Sequence, residues 1–351
     1  MRHDQAGIPV LSGSRRNRKV RYLLAGASGL AVLMMAVGCS TSAGAQVSTQ
    51  VVIAAVPGVD NAPLFLAKKD GLFAQAGLTN VVIKNYASES LEFAALQNGS
   101  ADIAASDYGD IFYKQAHGPD YSILADGYDA TAGVLEVLTY SGSGITSPDQ
   151  LANQKVGVPN NELLPVSSVT GTPVSLDAAA AEQVLFSYLN NGDTSVSWDP
   201  MSQQQEITEL RSHQLKAILV GEPYIYQAES QFGAVEVMDV CSGPTANLPL
   251  SGYVSMDAWA EKYPAAAADF QTAITKAQTS GAMAGPVRQV LPSATGMPVQ
   301  DADMATIGTY PTTTSANELE RVVQLLSREN VISVGDGQQW NGILRSMIVG
   351  S

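Results

Sequence analysis

Cysteine is almost absent: 351 residues hold only Cys39 and Cys241. Two cysteines exclude a disulfide-stapled scaffold, and with Cys39 modified, Cys241 has no intrachain partner and reads as a buried, inert thiol. Histidine is nearly as scarce, with His3, His117 and His213 only. His3 precedes the first apolar run, His117 stands before Gly118-Pro119 as a helix-end residue, and His213 follows a helix. No HExxH, CxxC, GxSxG or Walker A pattern occurs, so nothing in the chain implies a metal, a cofactor or an activated nucleophile. Positive charge is short as well, with 19 Lys and Arg against 33 Asp and Glu. With no basic stripe to offset that balance, nucleic acid is excluded as a partner. There is no tandem repeat of solenoid length either.

The basic residues that exist are unevenly placed. Arg15, Arg16, Arg18, Lys19 and Arg21 precede an apolar and small-residue run from Tyr22 to Val37. At about 16 residues this run is shorter than the roughly 20 that span a bilayer, and it matches a secretory signal over residues 1–38. The window Ala36-Val37-Gly38-Cys39 resembles a bacterial lipoprotein signal, with Cys39 as the lipidated first residue of the mature chain and Ala36 where that signal favours Leu. A cleaved, unlipidated signal and an uncleaved anchor are the alternatives. Twin-arginine export fits poorly, because Arg18 and Lys19 stand where that signal has apolar residues. Six of the 19 basic residues and one acid fall before Cys39, leaving 13 and 32 and a formal charge of −19. Residues 39–50 then read as a tether rich in Ser, Thr, Ala and Gly.

Beyond the tether the chain alternates apolar runs with helical patterns. Val51 to Ala55 is a buried strand, followed by a Pro-Gly loop carrying Asp60 and Asn61 and a helix from Ala62. Ser88 caps a helix with carboxylates in its first turn, Ala101 to Ala105 is a strand, and a helix begins at Tyr108. Val134 to Tyr140 is extended, and the turn-rich Ser141-Gly142-Ser143-Gly144 marks the first passage into a second α/β unit. There, Lys155 to Pro159, Val196 to Trp198 and Ala217 to Val220 read as strands, with helices at Asp177 to Leu189 and Ser202 to Arg211. Gly252 to Met256 brings the chain back, and the rest is largely helical. The expectation is two α/β lobes, 51–140 plus 248–351 and 141–247, joined by a two-crossing hinge. Strand ends at such an interface form a small-molecule cleft that closes on its ligand.

Val51–Leu78, Leu96–Asp102, Ser147–Pro159 and Gly221-Glu222-Pro223-Tyr224 resemble the substrate-binding proteins of ABC importers for nitrate, sulfonates, taurine and thiamine-related pyrimidines. The likeness covers residues 50 to 280. It implies a type II periplasmic-binding-protein-like fold, a monomer that is extracytoplasmic and tethered to the outer face of the cell membrane, and delivery of a small organic solute to permease subunits. The ligand loops it implies fall on Asn61-Ala62-Pro63, Ser106-Asp107, Asn160, the start of the Asp177 helix, and Glu222. The chain departs from the family in a longer segment from Asn160 to Ser175, in Lys216 where Asp is usual, and in Ser106-Asp107-Tyr108 at a helix start.

Each candidate has a plainer alternative. Asn61 and Ala62 serve a ligand or only form a turn and cap; Ser106 and Asp107 contact ligand or only cap a helix. Asn160 and Asp177 rest on the resemblance, and Glu222 touches ligand, supports the hinge or closes a network within its lobe. Tyr108, Tyr128 and Tyr224 are stacking walls or ordinary core residues. Asp107 and Glu222 suit an amine or ring N–H better than a simple anion, for which Lys155 and Arg211 are the best-placed bases. An enzyme of pyrimidine-precursor type on the same scaffold and a lipid-tethered protein-binding scaffold are the rival functions.

Overall fold

Two five-stranded sheets organise the computed structural model, which describes residues 50–160, 175–189, 196–333 and 338–350. The first part of the chain runs β1 (Val51–Ala55), α1 (Ala62–Lys69), α2 (Leu72–Ala76), β2 (Val81–Asn85), α3 (Glu89–Gln97), β3 (Ile103–Asp107), α4 (Tyr108–His117) and β4 (Tyr121–Asp129). β1 and β3 are buried along nearly their whole length. Val51–Ala55 and Ile103–Ala105 are therefore continuous apolar runs that do not alternate, as strands covered on both faces require.

The second sheet draws on β5 (Leu135–Tyr140), β6 (Lys155–Pro159), β7 (Ser197–Met201), β8 (Ala217–Gly221) and β9 (Ala234–Asp239), with α5 (Leu176–Tyr188), α6 (Gln203–Arg211) and α7 (Tyr224–Phe232) between them. The chain returns through β10 (Pro249–Met256). It ends in α8 (Asp257–Lys262), α9 (Pro264–Gly281), α10 (Ala284–Thr295), α11 (Val299–Met304), α12 (Ala316–Arg328) and α13 (Gln338–Met347).

The sheets share one plan. Their orders are β2-β1-β3-β10-β4 and β7-β6-β8-β5-β9. In each, three parallel strands are followed by an antiparallel strand that has crossed from the other sheet: β10 between β3 and β4, and β5 between β8 and β9. The result is two α/β lobes exchanging one strand each. β5 was expected on the first-lobe side of a break after Tyr140, yet it pairs with β8 and β9 over its full length. The first passage between the sheets is thus residues 130–134, and the second follows β9.

Packing fixes each lobe. α9 lies over α1 and α2, where Phe270 stacks on Phe73 at 6.0 Å, and Gln278 Nε2 donates to the Asp126 carbonyl at 2.6 Å. Cys241 is buried and free, and burial raises its thiol pKa. Between the lobes, three chain segments lie side by side: Ala130 N–H donates to Leu248 O, Asn247 N–H to Ala130 O, and Asp129 N–H to Thr309 O, at 2.8, 2.8 and 2.9 Å. α11 leans across onto the second lobe, where Gln227 Nε2 donates to Asp301 Oδ2 at 2.9 Å and Gln300 Nε2 to the Tyr226 hydroxyl at 3.1 Å. Among the described residues, no helix is long and apolar enough to cross a membrane.

Candidate functional site

Parallel strands of both sheets end at the same cleft, and the helices that follow them begin there. The cleft holds a cavity of about 630 Å³, within the roughly 300–1,000 Å³ common for small-molecule sites. The first lobe contributes the loop Val56 to Asp60 after β1, Glu89 at the start of α3 and Asp107 at the end of β3. The second contributes Asn160 after β6, Asp177 in the first turn of α5, Ser202 to Gln204 at the start of α6 and Gly221 to Tyr224 after β8. Tyr128, Leu250, Ser251 and the segment Thr295 to Pro298 complete the wall.

Converging helix N-termini ordinarily favour an anion, because their free N–H groups and dipoles point at it. Here the chain's own oxygens take one of those donors at each of five helix starts. Ser88 Oγ accepts from Leu91 N–H at 3.4 Å, Asp107 Oδ1 from Gly109 N–H at 2.5 Å, and Ser175 Oγ from Ala178 N–H at 3.1 Å. Ser202 Oγ accepts from Gln205 N–H at 3.2 Å, and Glu222 Oε2 from Tyr226 N–H at 3.3 Å. Glu89 reaches from α3 to the next helix, its Oε2 accepting from Asp107 N–H at 2.9 Å and from the Ser106 hydroxyl.

Among the described residues, no Lys, Arg or His lines the cavity. Its carboxyls accordingly hold their protons more tightly than in water. Burial pushes Asp60 and Asp177 up to about 6. Glu89 is raised to about 8, first by burial and then by the charge of Asp110. Asp107 is raised well above the usual range by burial and then by Glu89, and Glu222 is raised by burial. Charge repulsion runs across the cleft as well: Asp177 of the second lobe acts on both Asp60 and Asp107 of the first. Among the described residues, no group of three or more His, Cys, Asp or Glu side chains is placed to hold a metal ion.

Of the residues singled out in the sequence, Asp107, Asn160, Asp177, Glu222, Tyr128 and Tyr224 stand on the cavity wall. Glu222 also ties the lobe to α11's far end, its Oε1 accepting from Thr306 N–H at 2.9 Å. Asn61, Ala62 and Ser106 do not reach the wall. Asn61 is buried behind the β1–α1 loop, its Nδ2 donating to Val56 O at 2.8 Å and so fixing the loop's curvature. Ala62 is buried at the start of α1, and Ser106 is buried against Glu89. Tyr108 belongs to the core: it is fully buried, stacked on Phe112 at 5.4 Å, with its hydroxyl donating to Asp126 Oδ1 at 2.9 Å. Lys155 is exposed and paired with Asp199 at 2.5 Å, and Arg211 is an exposed residue of α6. Neither supplies positive charge to the cleft. Cys39 and the segment 161–174 lie outside the described residues.

Asp60, Glu89, Ser202 to Gln204 and Thr295 to Pro298 escaped sequence reasoning as site residues. Asp60 sits in the loop that drew attention to Asn61, and Gly58 gives it room, since a side chain at Gly58 would collide with the Asp60 carboxylate. Ser202 and Gln203 follow the same strand-to-helix pattern as Ser106 and Asp107. Thr295 to Pro298 carry no comparable local signal; their place depends on how α10 packs.

The chain matches the NMT1-like family over residues 44–284. No curated protein sequence matches it. Its fold is similar to that of the periplasmic nitrate-binding protein NrtA from Synechocystis PCC 6803, with TM-score 0.66, 14% identity and 86% of each chain covered. The periplasmic aliphatic sulphonate binding protein SsuA from Escherichia coli gives 0.65 and 15%, over 85% of this chain and 100% of that one. The ligand binding component of an ABC-type import system from Staphylococcus aureus, with zinc bound, gives 0.65 and 13%, over 81% and 93%. At these identities the structural likeness is one of fold. With more than half of its length matched by the family, the chain belongs to the NMT1-like family, and it carries the two-lobed, hinged α/β fold of ABC-type periplasmic substrate-binding proteins.

Proposed function

We propose that this protein is an extracytoplasmic solute-binding lipoprotein that captures a small organic solute between its lobes and delivers it, as a monomer, to the permease subunits of an ABC importer. The observation that carries the reading is the cavity of about 630 Å³, walled by strand ends of both lobes. A solute touching both walls stabilises the closed arrangement by its different affinity for the open and closed states. The reading involves no chemical step, and among the described residues the cavity wall offers neither a histidine nor a cysteine to take one. The likeness to proteins whose names record nitrate, aliphatic sulphonate or ABC-type import supports the same role.

The test is thermal unfolding of the purified protein against a panel of amines, pyrimidines, sulfonates and nitrate, with calorimetry on every hit. A solute at 100 times its Kd adds about 2.7 kcal/mol to stability and raises the midpoint by several degrees. A panel that moves neither the midpoint nor the heat removes the receptor reading.

The tether has its own test. Cys39→Ala should transfer the protein from the membrane fraction to the soluble fraction of the cells that make it. If the variant sediments with the membranes as before, Cys39 is not the anchor.

A further inference from the structure

The wall of the cleft specifies the charge of its occupant. Asp107 is 7% exposed and Glu89 5%, and what remains open of each faces the cavity they line. Asp107 uses Oδ1 on Gly109 N–H, and Glu89 uses Oε2 on Asp107 N–H and the Ser106 hydroxyl. Their other oxygens, Asp107 Oδ2 and Glu89 Oε1, have no hydrogen-bond partner among the described residues. When ionised, they are acceptors left open on the cavity wall for a donor that a ligand brings. Across the cleft, Asp177 makes no hydrogen bond or ion pair among the described residues, and its charge makes ionising Asp60 and Asp107 more costly.

An oxyanion has little to hold it in this setting. At the starts of α3 to α7 one N–H each is already taken by the chain's own oxygen, no cationic side chain among the described residues stands on the wall, and ionised carboxyls there would repel it. A positive centre meets the opposite situation. It pairs with oxygens that have no donor and offsets the charge that burial makes costly, on a wall that also carries Tyr128 and Tyr224.

Resting on the solute-receptor reading above, we infer that the cleft selects an organic cation, an alkylammonium or protonated amine, held between Asp60, Glu89 and Asp107 of one lobe and Asp177 of the other. The bound charge then acts as the bridge that favours closure, since it is attracted to both walls once their carboxyls ionise around it.

The probe is the small-molecule fraction of a cell extract, below about 1 kDa, divided by ion exchange into cation-retained, anion-retained and unretained pools. Each pool is added to the purified protein, and complexes are read by native mass spectrometry and by the unfolding midpoint. The expected result is a complex and a raised midpoint with the cation-retained pool alone. The same pool should bind the double variant Glu89→Gln, Asp177→Asn at least tenfold more weakly, while that variant without ligand melts no lower than the parent. Binding from the anion-retained or unretained pool alone overturns the charge assignment and leaves the receptor reading standing. Binding from the cation-retained pool with unchanged affinity in the folded double variant also overturns it, because the charge is then recognised elsewhere. Absence of any complex with all three pools overturns both readings.

Discussion

Raising the pH from 6 to 8 should lower the ligand-free unfolding midpoint by at least about 5 °C. Four buried carboxyls drive the effect. Glu89, Asp126 and Glu136 are pushed up to about 8 and Glu206 to about 9, in each case first by burial. None exceeds 8% exposure. Both carboxylate oxygens of Glu206 and one of Glu136 have no hydrogen-bond partner, so their neutral forms are the ones the fold accommodates.

A carboxyl whose folded pKa lies above its unfolded value binds more protons in the folded state. Its contribution is complete below the unfolded pKa and is lost as pH climbs through the folded one. For one group moved from 4.5 to about 8, the loss between pH 6 and 8 is about 2 kcal/mol, and each kcal/mol is worth roughly 2–4 °C in a chain of 150–250 residues. Differential scanning calorimetry in matched ionic strength reads the slope directly. Glu206→Gln should flatten it, because the amide has no proton to lose. A midpoint that is level or rises across this range would show that these carboxyls are ionised without penalty in the folded protein.

Gly252→Ala should cost about 2–4 kcal/mol. Gly252 lies in β10, opposite Ser106 of β3 and Asp126 of β4. A Cβ placed there would stand 2.5 Å from Tyr108 Oη and 2.7 Å from its Cζ. Tyr108 cannot step aside: it is fully buried, stacked on Phe112, and its hydroxyl satisfies Asp126. Accommodating the methyl group thus means overpacking the ring, typically about 1–3 kcal/mol, and loosening a buried hydrogen bond whose loss strands the carboxyl. Urea denaturation gives the difference from its midpoint at unchanged slope. Adding Tyr108→Phe should return part of the loss, since Oη is the nearest clash. A Gly252→Ala loss under 1 kcal/mol would mean that the sheet yields at this point.

The succession of strands and helices was readable where a strand is a short apolar run, as in β1 and β8, and where a helix start carries a capping oxygen. Ser88, Asp107, Ser175 and Ser202 all cap in the structure, and such caps act within four residues of chain. The lobe boundary was less visible. The turn residues Ser141 to Gly144 are a stronger local break than residues 130–134, and only the pairing of β5 with β8 and β9 assigns that strand to the second sheet. Asp60 and Glu89 remained hidden for a related reason. Each is unremarkable in its own loop or helix turn, and they come together only because β1 and β3 pair in parallel with Ala55 opposite Ala105. Tyr108 and Tyr128 show the limit from the other side: both are buried tyrosines at apolar strand ends, yet one fills the core and the other forms the cleft wall.

The side-by-side bonding of Ala130, Asn247 with Leu248, and Thr309 gives the molecule a flat strap where the lobes meet. Two separate cords would let the lobes slide past one another and rotate about several lines. A strap three chains wide bends easily across its thin direction and resists shear and torsion. The motion this favours between the lobes is a swing that opens and shuts the cleft, with Asp177 on one side and Asp60 and Asp107 on the other.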